Sequence, residues 1–109
     1  LGGNDMNIKI HSVRFDADAK LVEFVEARIN KLIQLYDNII GVEVFLRLVN
    51  NQNQENKVTE IRIEIPGNDL FAKKQEKTFE AATDSAIEAL RRQIKKHKEK
   101  QQRATENKE

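Results

Sequence analysis

The sequence predicts an α+β domain of element order β-α-β-β-β-α, with two helices packed on one face of a four-stranded mixed sheet. Apolar residues recur every third or fourth position in two segments, as in helices, and every second position in the others, as in strands. At 109 residues the chain is long enough for one hydrophobic core. We expect one domain at residues 6–100, preceded by an extension at residues 1–5 and followed by a disordered tail at residues 101–109.

The first strand and the first helix are predicted between residues 6 and 36. Residues 6–13 (MNIKIHSV) alternate apolar and polar side chains, as a strand with one solvated face requires. The helix is predicted over residues 19–36, with Asp18 as its N-cap and Gly41 soon after its end. Its apolar stripe consists of Leu21, Val22, Val25, Ile29, Leu32, Ile33 and Tyr36.

Three more strands follow the first helix. Residues 40–48 and 58–65 both alternate apolar and polar positions, and the polar segment 50–56 (NNQNQEN) joins them as a hairpin loop. The turn that begins at Pro66-Gly67 precedes a weaker strand at residues 70–75. A strand-helix-strand connection permits parallel pairing of the first two strands, and the hairpins continue the sheet antiparallel.

The second helix begins at Phe79 and carries the main functional signal. Its apolar arc is expected to lie on the sheet and consists of Phe79, Thr83, Ala86, Ile87, Leu90 and Ile94. Away from that arc the helix places seven cations: Arg91, Arg92, Lys95, Lys96, Lys98, Lys100 and Arg103. Residues 1–90 carry a net charge of −4 and residues 91–109 carry +5, although the whole chain has only +1. This segregation of charge indicates a binding surface for a polyanion.

Three other interpretations of the basic run need no nucleic acid. The helix macrodipole favours acids early and bases late, but its effect fades within about one turn and does not account for seven cations. Like charges four residues apart, such as Arg91 with Lys95, also destabilise the helix by a few tenths of a kcal/mol. A solvated basic face or a docking surface for an acidic protein therefore remains the alternative to RNA binding. His97, at the edge of the apolar arc, is interpreted first as a packing residue, with a direct RNA contact as the alternative.

Composition and motifs exclude several classes. The absence of cysteine rules out disulfides, thiolate metal sites and cysteine nucleophiles. The two histidines lie far apart, and no glycine-rich phosphate loop or paired-carboxylate motif occurs. We expect a non-enzyme without metal, cofactor or small-molecule substrate. No apolar run approaches the roughly 18 residues of a membrane helix, so we expect a cytoplasmic protein with no membrane partner.

Generic RNA-binding modules fit less well. A double-stranded RNA module begins with a helix, whereas a strand comes first here. The third predicted strand lacks the aromatic residues of a ribonucleoprotein-type sheet reader, and no Gly-x-x-Gly loop joins the helices.

The segment from Phe79 to Lys98 resembles the closing helix of the ribosome hibernation-promoting factors, also called ribosome-associated inhibitor or sigma-modulation proteins. It carries an aromatic residue, an Ala pair, an Asp and then Ala-Leu-Arg-Arg-Gln-Ile-Lys-Lys-His-Lys. The opening Met6-Asn7-Ile8, the strand entry Ile39-Ile40-Gly41 and the Pro66-Gly67 turn also have counterparts in the family. The resemblance covers residues 6–100. Long members of the family append a second, dimerising domain, and this sequence is too short for one, so we expect it to belong to the short class.

The resemblance implies a function and a set of site residues. Members bind the small ribosomal subunit of idle ribosomes, in the channel used by messenger and transfer RNA, and block translation during starvation. By position, Arg92 and Lys96 match shared basic residues of the last helix, and Arg28 and Lys31 match basic positions of the first helix. The predicted RNA-binding set is therefore Arg28, Lys31, Arg91, Arg92, Lys95, Lys96 and Lys98. Simple solvation beside neighbouring glutamates is the other interpretation of the two residues of the first helix.

Overall fold

The predicted element order is confirmed by a computed structural model that describes residues 7–106, with side chains for residues 7–103. In chain order the elements are β1 (Asn7–Val13), α1 (Ala19–Ile33), β2 (Gly41–Leu48), β3 (Lys57–Ile65), β4 (Asn68–Glu76) and α2 (Phe79–Glu106). The predicted extension at residues 1–5 lies outside the described residues.

The four strands form one mixed sheet in the order β1-β2-β3-β4. β1 pairs with β2 in parallel, with Ile8 opposite Val42, because α1 carries the chain back between them. β2 with β3 and β3 with β4 pair antiparallel, so that Val44, Ile61 and Ala72 lie side by side across the sheet. Apolar residues of all four strands therefore share one face, as predicted.

Both helices pack on that apolar face and form the core with it. Val25, Ile29 and Leu32 of α1 are fully buried, and so are Val44 of β2 and Leu90 of α2. A buried hydrogen bond also joins the sheet to α2, because the hydroxyls of Thr59 and Thr83 lie 3.2 Å apart. α2 is thus fixed to the sheet by packing and by a satisfied polar pair.

α1 begins where the sequence predicts and ends earlier. The side chain of Asp18 accepts a hydrogen bond from the Leu21 backbone N–H at 2.9 Å, which caps the helix. The helix ends at Ile33, three residues before the predicted end at Tyr36. Leaving the helix lets the Tyr36 side chain turn inward, where only 7% of the residue is exposed. The tyrosine thus belongs to the core but not to the helix.

The β3–β4 turn is tighter than predicted. Ile65 pairs with Asn68, so only Pro66 and Gly67 connect the strands, and β4 is longer than the segment 70–75. Gly67 has a φ of +79°, which glycine adopts without the steric cost that a side chain would bring.

The edge of β4 that pairs with no other described strand is contacted at Phe71 by a side chain of α2. The Gln93 amide donates to the Phe71 carbonyl oxygen at 2.8 Å, and its oxygen accepts from the Phe71 N–H at 3.4 Å. One glutamine thus supplies the two backbone partners that a neighbouring strand would offer.

α2 continues through residues 101–106, where the sequence analysis expects a disordered tail. Gln101, Gln102 and Arg103 are good helix formers, and the Tyr36 hydroxyl donates to the Gln101 side-chain oxygen at 3.1 Å. Residues 107–109 of the predicted tail lie outside the described part of the chain. Among residues 7–106, neither helix combines the length and the apolar character needed to cross a membrane.

Candidate nucleic-acid interface

The seven cations of α2 lie on its solvent side and are all exposed. We call them the α2 basic face: Arg91, Arg92, Lys95, Lys96, Lys98, Lys100 and Arg103. The opposite side of the helix is buried on the sheet, with Ala86 and Leu90 fully inaccessible and Ile94 2% exposed. Because one side of the helix is fixed in the core, the backbone positions that carry the cations on the other side are held in a constant arrangement.

The basic face divides into two rows at helical spacing. Arg91, Lys95 and Lys98 form the row that borders α1, and Arg92, Lys96 and Arg103 form a second row about 100° further around the helix. Successive members of a row are separated by about 5 to 10 Å along the helix axis, at 1.5 Å per residue. An extended polyanion can therefore contact several of them at once.

Most of these cations lack an ion-pair partner among the side chains that the structure describes. Arg91 lies 3.9 Å from Glu88, and the Lys98 ammonium donates to the Leu35 carbonyl oxygen at 2.9 Å. Among the side chains described at residues 7–103, the other five make no ion pair. Their mutual repulsion is thus left for an external anion to offset.

The two predicted residues of α1 have different environments. The Arg28 guanidinium donates to Asp84 of α2 at 2.7 Å and lies over the Phe24 ring, 4.2 Å from its centroid. Its charge is therefore largely balanced inside the domain, although 40% of the side chain is exposed. Lys31 is exposed, and it makes no ion pair within residues 7–103.

A groove lies between the C-terminal end of α1 and the row of α2 cations that borders α1. Its volume is about 570 Å³. The lining consists of Leu35 from α1's end and Glu88, Arg91, Arg92, Ile94, Lys95, Lys98, Glu99 and Gln102 from α2. The groove therefore combines apolar and cationic surface. The cations were predicted from the sequence, but the groove and its apolar part were not.

His97 packs against the end of α1, which confirms its interpretation as a packing residue. Its ring meets the Tyr36 ring edge to face, with centroids 5.4 Å apart and an interplanar angle of 85°. Together with the Tyr36–Gln101 hydrogen bond, this contact holds α1's end against α2.

The outer face of the sheet, opposite the helices, is also charged, but many of its charges are paired across neighbouring strands. Glu43 accepts from Arg62 at 2.6 Å and lies 2.9 Å from the His11 ring nitrogen, and Arg47 donates to Glu60 at 2.8 Å. The hydrogen bond from Arg62, followed by that of His11, lowers the pKa of Glu43 below its ordinary value of 4.5.

Two residues that shape the candidate site were not predicted from the sequence. Asp84 is predicted only as the Asp of the closing-helix resemblance, and it lies 56 positions from its partner Arg28. Leu35 carries no motif, and only the packing of α1 on α2 places it beside the cations. Within the described residues, no group of three or more histidine or acidic side chains is arranged to hold a metal ion.

Comparison with known proteins agrees with this architecture. The ribosome hibernation promoting factor of Escherichia coli strain K12 is 30% identical over 95 residues, which cover 87% of this chain and 96% of that protein. The Pseudomonas putida protein of the same name is 29% identical over 97 residues, covering 89% of this chain and 91% of that protein.

Solved structures share the fold. The N-terminal domain of Thermus thermophilus Protein Y matches with a TM-score of 0.72 and 24% identity, covering 84% of this chain and 99% of that one. A ribosomal subunit interface protein from Coxiella burnetii matches with a TM-score of 0.76 and 19% identity, covering 85% and 98%. At the sequence level, residues 8–102 match the family described as sigma 54 modulation protein / S30EA ribosomal protein. The resemblance noted in the last helix is thereby confirmed, and the chain belongs to this family.

Proposed function

We propose that this chain binds the small ribosomal subunit of idle ribosomes, in the cytoplasm, and inhibits translation there. The α2 basic face contacts ribosomal RNA, and Arg28 and Lys31 extend the contact across α1. The bound domain occupies space that messenger and transfer RNA need. The relatives named ribosome hibernation promoting factors, and the fold match to a ribosomal subunit interface protein, support this function.

The observation that carries the proposal is the set of five cations on one helix that have no partner within residues 7–103. Backbone phosphates provide the anions that such a face lacks, and phosphate contacts supply affinity without reading sequence. Selectivity for the ribosome then comes from the shape of the folded RNA. No covalent step is needed, because occupation of the channel is itself the inhibitory act.

A docking surface for an acidic protein is the second candidate. It is favoured only by the same unpaired cations, which would attract a carboxylate-rich surface as they attract phosphates. The two functions differ in the polymer that carries the negative charge, so nuclease treatment separates them.

Sedimentation of the pure protein with purified small subunits tests the proposal. We expect binding in dilute buffer, and we expect affinity to fall with salt at a log-log slope of roughly −4 to −5 if about six phosphates are contacted. Complexes recovered from extracts of starved cells should dissociate on ribonuclease treatment. Failure to bind small subunits at low salt would refute the function, and nuclease-resistant capture of a protein would favour the second candidate.

A further inference from the structure

The groove between the end of α1 and α2 has the size of a ligand site. Its volume of about 570 Å³ falls within the range of roughly 300 to 1,000 Å³ that is usual for small-molecule pockets. It is open to solvent along the row of cations that borders α1. A ligand here would contact Leu35 and touch the α2 basic face at the same time.

The floor of the groove is apolar. Leu35 is 36% exposed, one of only three large hydrophobic side chains exposed among the described residues, and Ile94 lies beneath at 2% exposure. A single exposed leucine is ordinary in a soluble protein. This one, however, is bordered by Arg91, Lys95 and Lys98. An apolar floor with a cationic rim suits a ligand that has a flat, weakly polar face and an anionic edge.

We propose that this groove holds one unpaired nucleotide of the bound RNA, with its base on Leu35 and its flanking phosphates on Lys95 and Lys98. The inference rests on the proposed function, and it specifies which part of the RNA this surface takes. Single-stranded bases are the parts of RNA that proteins bind by contact with their faces, since bases in a helix are already stacked.

The walls of the groove are fixed before any ligand arrives. The Lys98 ammonium donates one hydrogen bond to the Leu35 carbonyl oxygen, which leaves two N–H groups for a phosphate. Tyr36 holds the same end of α1 through its contacts with His97 and Gln101. The backbone that carries Leu35 is therefore already held against α2 before a ligand binds.

The charge of the lining favours a nucleotide within a chain over a free nucleotide polyphosphate. Four cations and two carboxylates, Glu88 and Glu99, line the groove, and Glu88 lies 3.9 Å from Arg91. The net positive charge of two matches the two singly charged phosphodiesters that flank one nucleotide, and the two acids repel a ligand with more negative charges. Lys96 and Arg103, outside the groove, are placed for neighbouring phosphates of the same strand.

The test compares Leu35→Ala with Phe71→Ala in affinity for purified small subunits over a salt series. Phe71 is 50% exposed on β4 and lies outside the groove, so its truncation removes at least as much apolar surface elsewhere. We expect Leu35→Ala to weaken binding about 5-fold at every salt concentration, because it removes apolar contact and no charge. Lys95→Ala should instead reduce the salt slope by about 0.7 to 0.9. Phe71→Ala should match the wild type.

A photoreactive side chain at position 35 gives an independent readout. We expect it to crosslink to one unpaired nucleotide of the small-subunit RNA. Wild-type affinity of Leu35→Ala, or a crosslink only to protein or to a base-paired segment, would overturn the inference while leaving the proposed function intact. Loss of small-subunit binding by the wild type itself would instead refute the proposed function.

Discussion

Both the α2 basic face and the outer face of the sheet carry many charges, but they differ in how those charges are paired. On the outer face, strand register places acids beside bases: Glu43 lies opposite Arg62, and Lys73 lies opposite Glu60. On α2, helical spacing places cations beside cations. The first region uses its charges to join strands, and the second leaves them available to a ligand. Pairing, more than the number of charges, therefore distinguishes the candidate binding surface from the other charged face.

Charge reversal on α2 should have the largest effect. Arg92→Glu with Lys96→Glu should lower affinity for small subunits by about 100-fold or more, because two phosphate contacts become repulsions. Lys9→Glu with Lys73→Glu on the outer face is the matched control, since it changes the net charge equally. Sedimentation measures binding, and circular dichroism checks the fold. Equal losses in the two variants would mean that total charge, not the α2 face, controls binding.

Breaking a pair on the sheet should cost stability and not binding. Arg47→Ala leaves Glu60, whose side chain is only 15% exposed, without its partner, and removes the guanidinium that lies over Phe45. We expect a loss of about 1 to 2 kcal/mol in the free energy of unfolding, measured by urea denaturation. A clear fall in ribosome affinity, with stability unchanged, would place the outer face in the interface.

The Glu43 network should make the sheet sensitive to acid. Because folding lowers the pKa of Glu43 below 4.5, its contribution to stability is present above that pH and is lost as pH falls through the folded value. Urea denaturation between pH 6 and pH 3 should show a smaller loss for Glu43→Gln than for the wild type. Identical pH profiles would show that the Arg62–Glu43–His11 contacts add no pH-dependent stability.

The pair between the helices should have the smallest effect. Arg28 and Asp84 are both partly exposed, so a double-mutant cycle with alanine should give a coupling of about 0.5 kcal/mol in unfolding free energy. Arg28→Ala should weaken small-subunit binding less than Lys96→Ala does, because Asp84 already balances the Arg28 charge. The reverse order would mean that Arg28 leaves Asp84 for RNA.

Much of the fold was predictable because its determinants are local. The Asp18 cap, the Pro66-Gly67 turn and the apolar arc of α2 each depend on residues close in sequence, and all occur in the structure. Element ends were less predictable: α1 ends at Ile33, and Tyr36, predicted as its last residue, instead packs in the core and donates to Gln101. That contact spans 65 positions, so no local pattern could reveal it.

The cations of the candidate site were predictable from the sequence, but the groove and the side-chain partners around them were not. The rows of α2 follow from helical spacing alone, whereas the groove depends on how α1 lies beside α2. The hydrogen bond from Lys98 to the Leu35 carbonyl and the ion pair from Arg28 to Asp84 both arise from that packing. Both interactions join α2 to residues at or after α1, so a helical projection of either segment alone cannot reveal them.

The contact of Gln93 with Phe71 has a consequence for solubility. An exposed sheet edge recruits strands from other molecules and so promotes aggregation, and here a side chain of α2 occupies that edge at one residue. Displacing α2 would therefore disrupt the arrangement of its cations and, at the same time, expose the unpaired edge of β4. Damage to this helix would therefore remove the proposed binding surface and promote self-assembly together, so loss of small-subunit binding and precipitation should appear in the same variants.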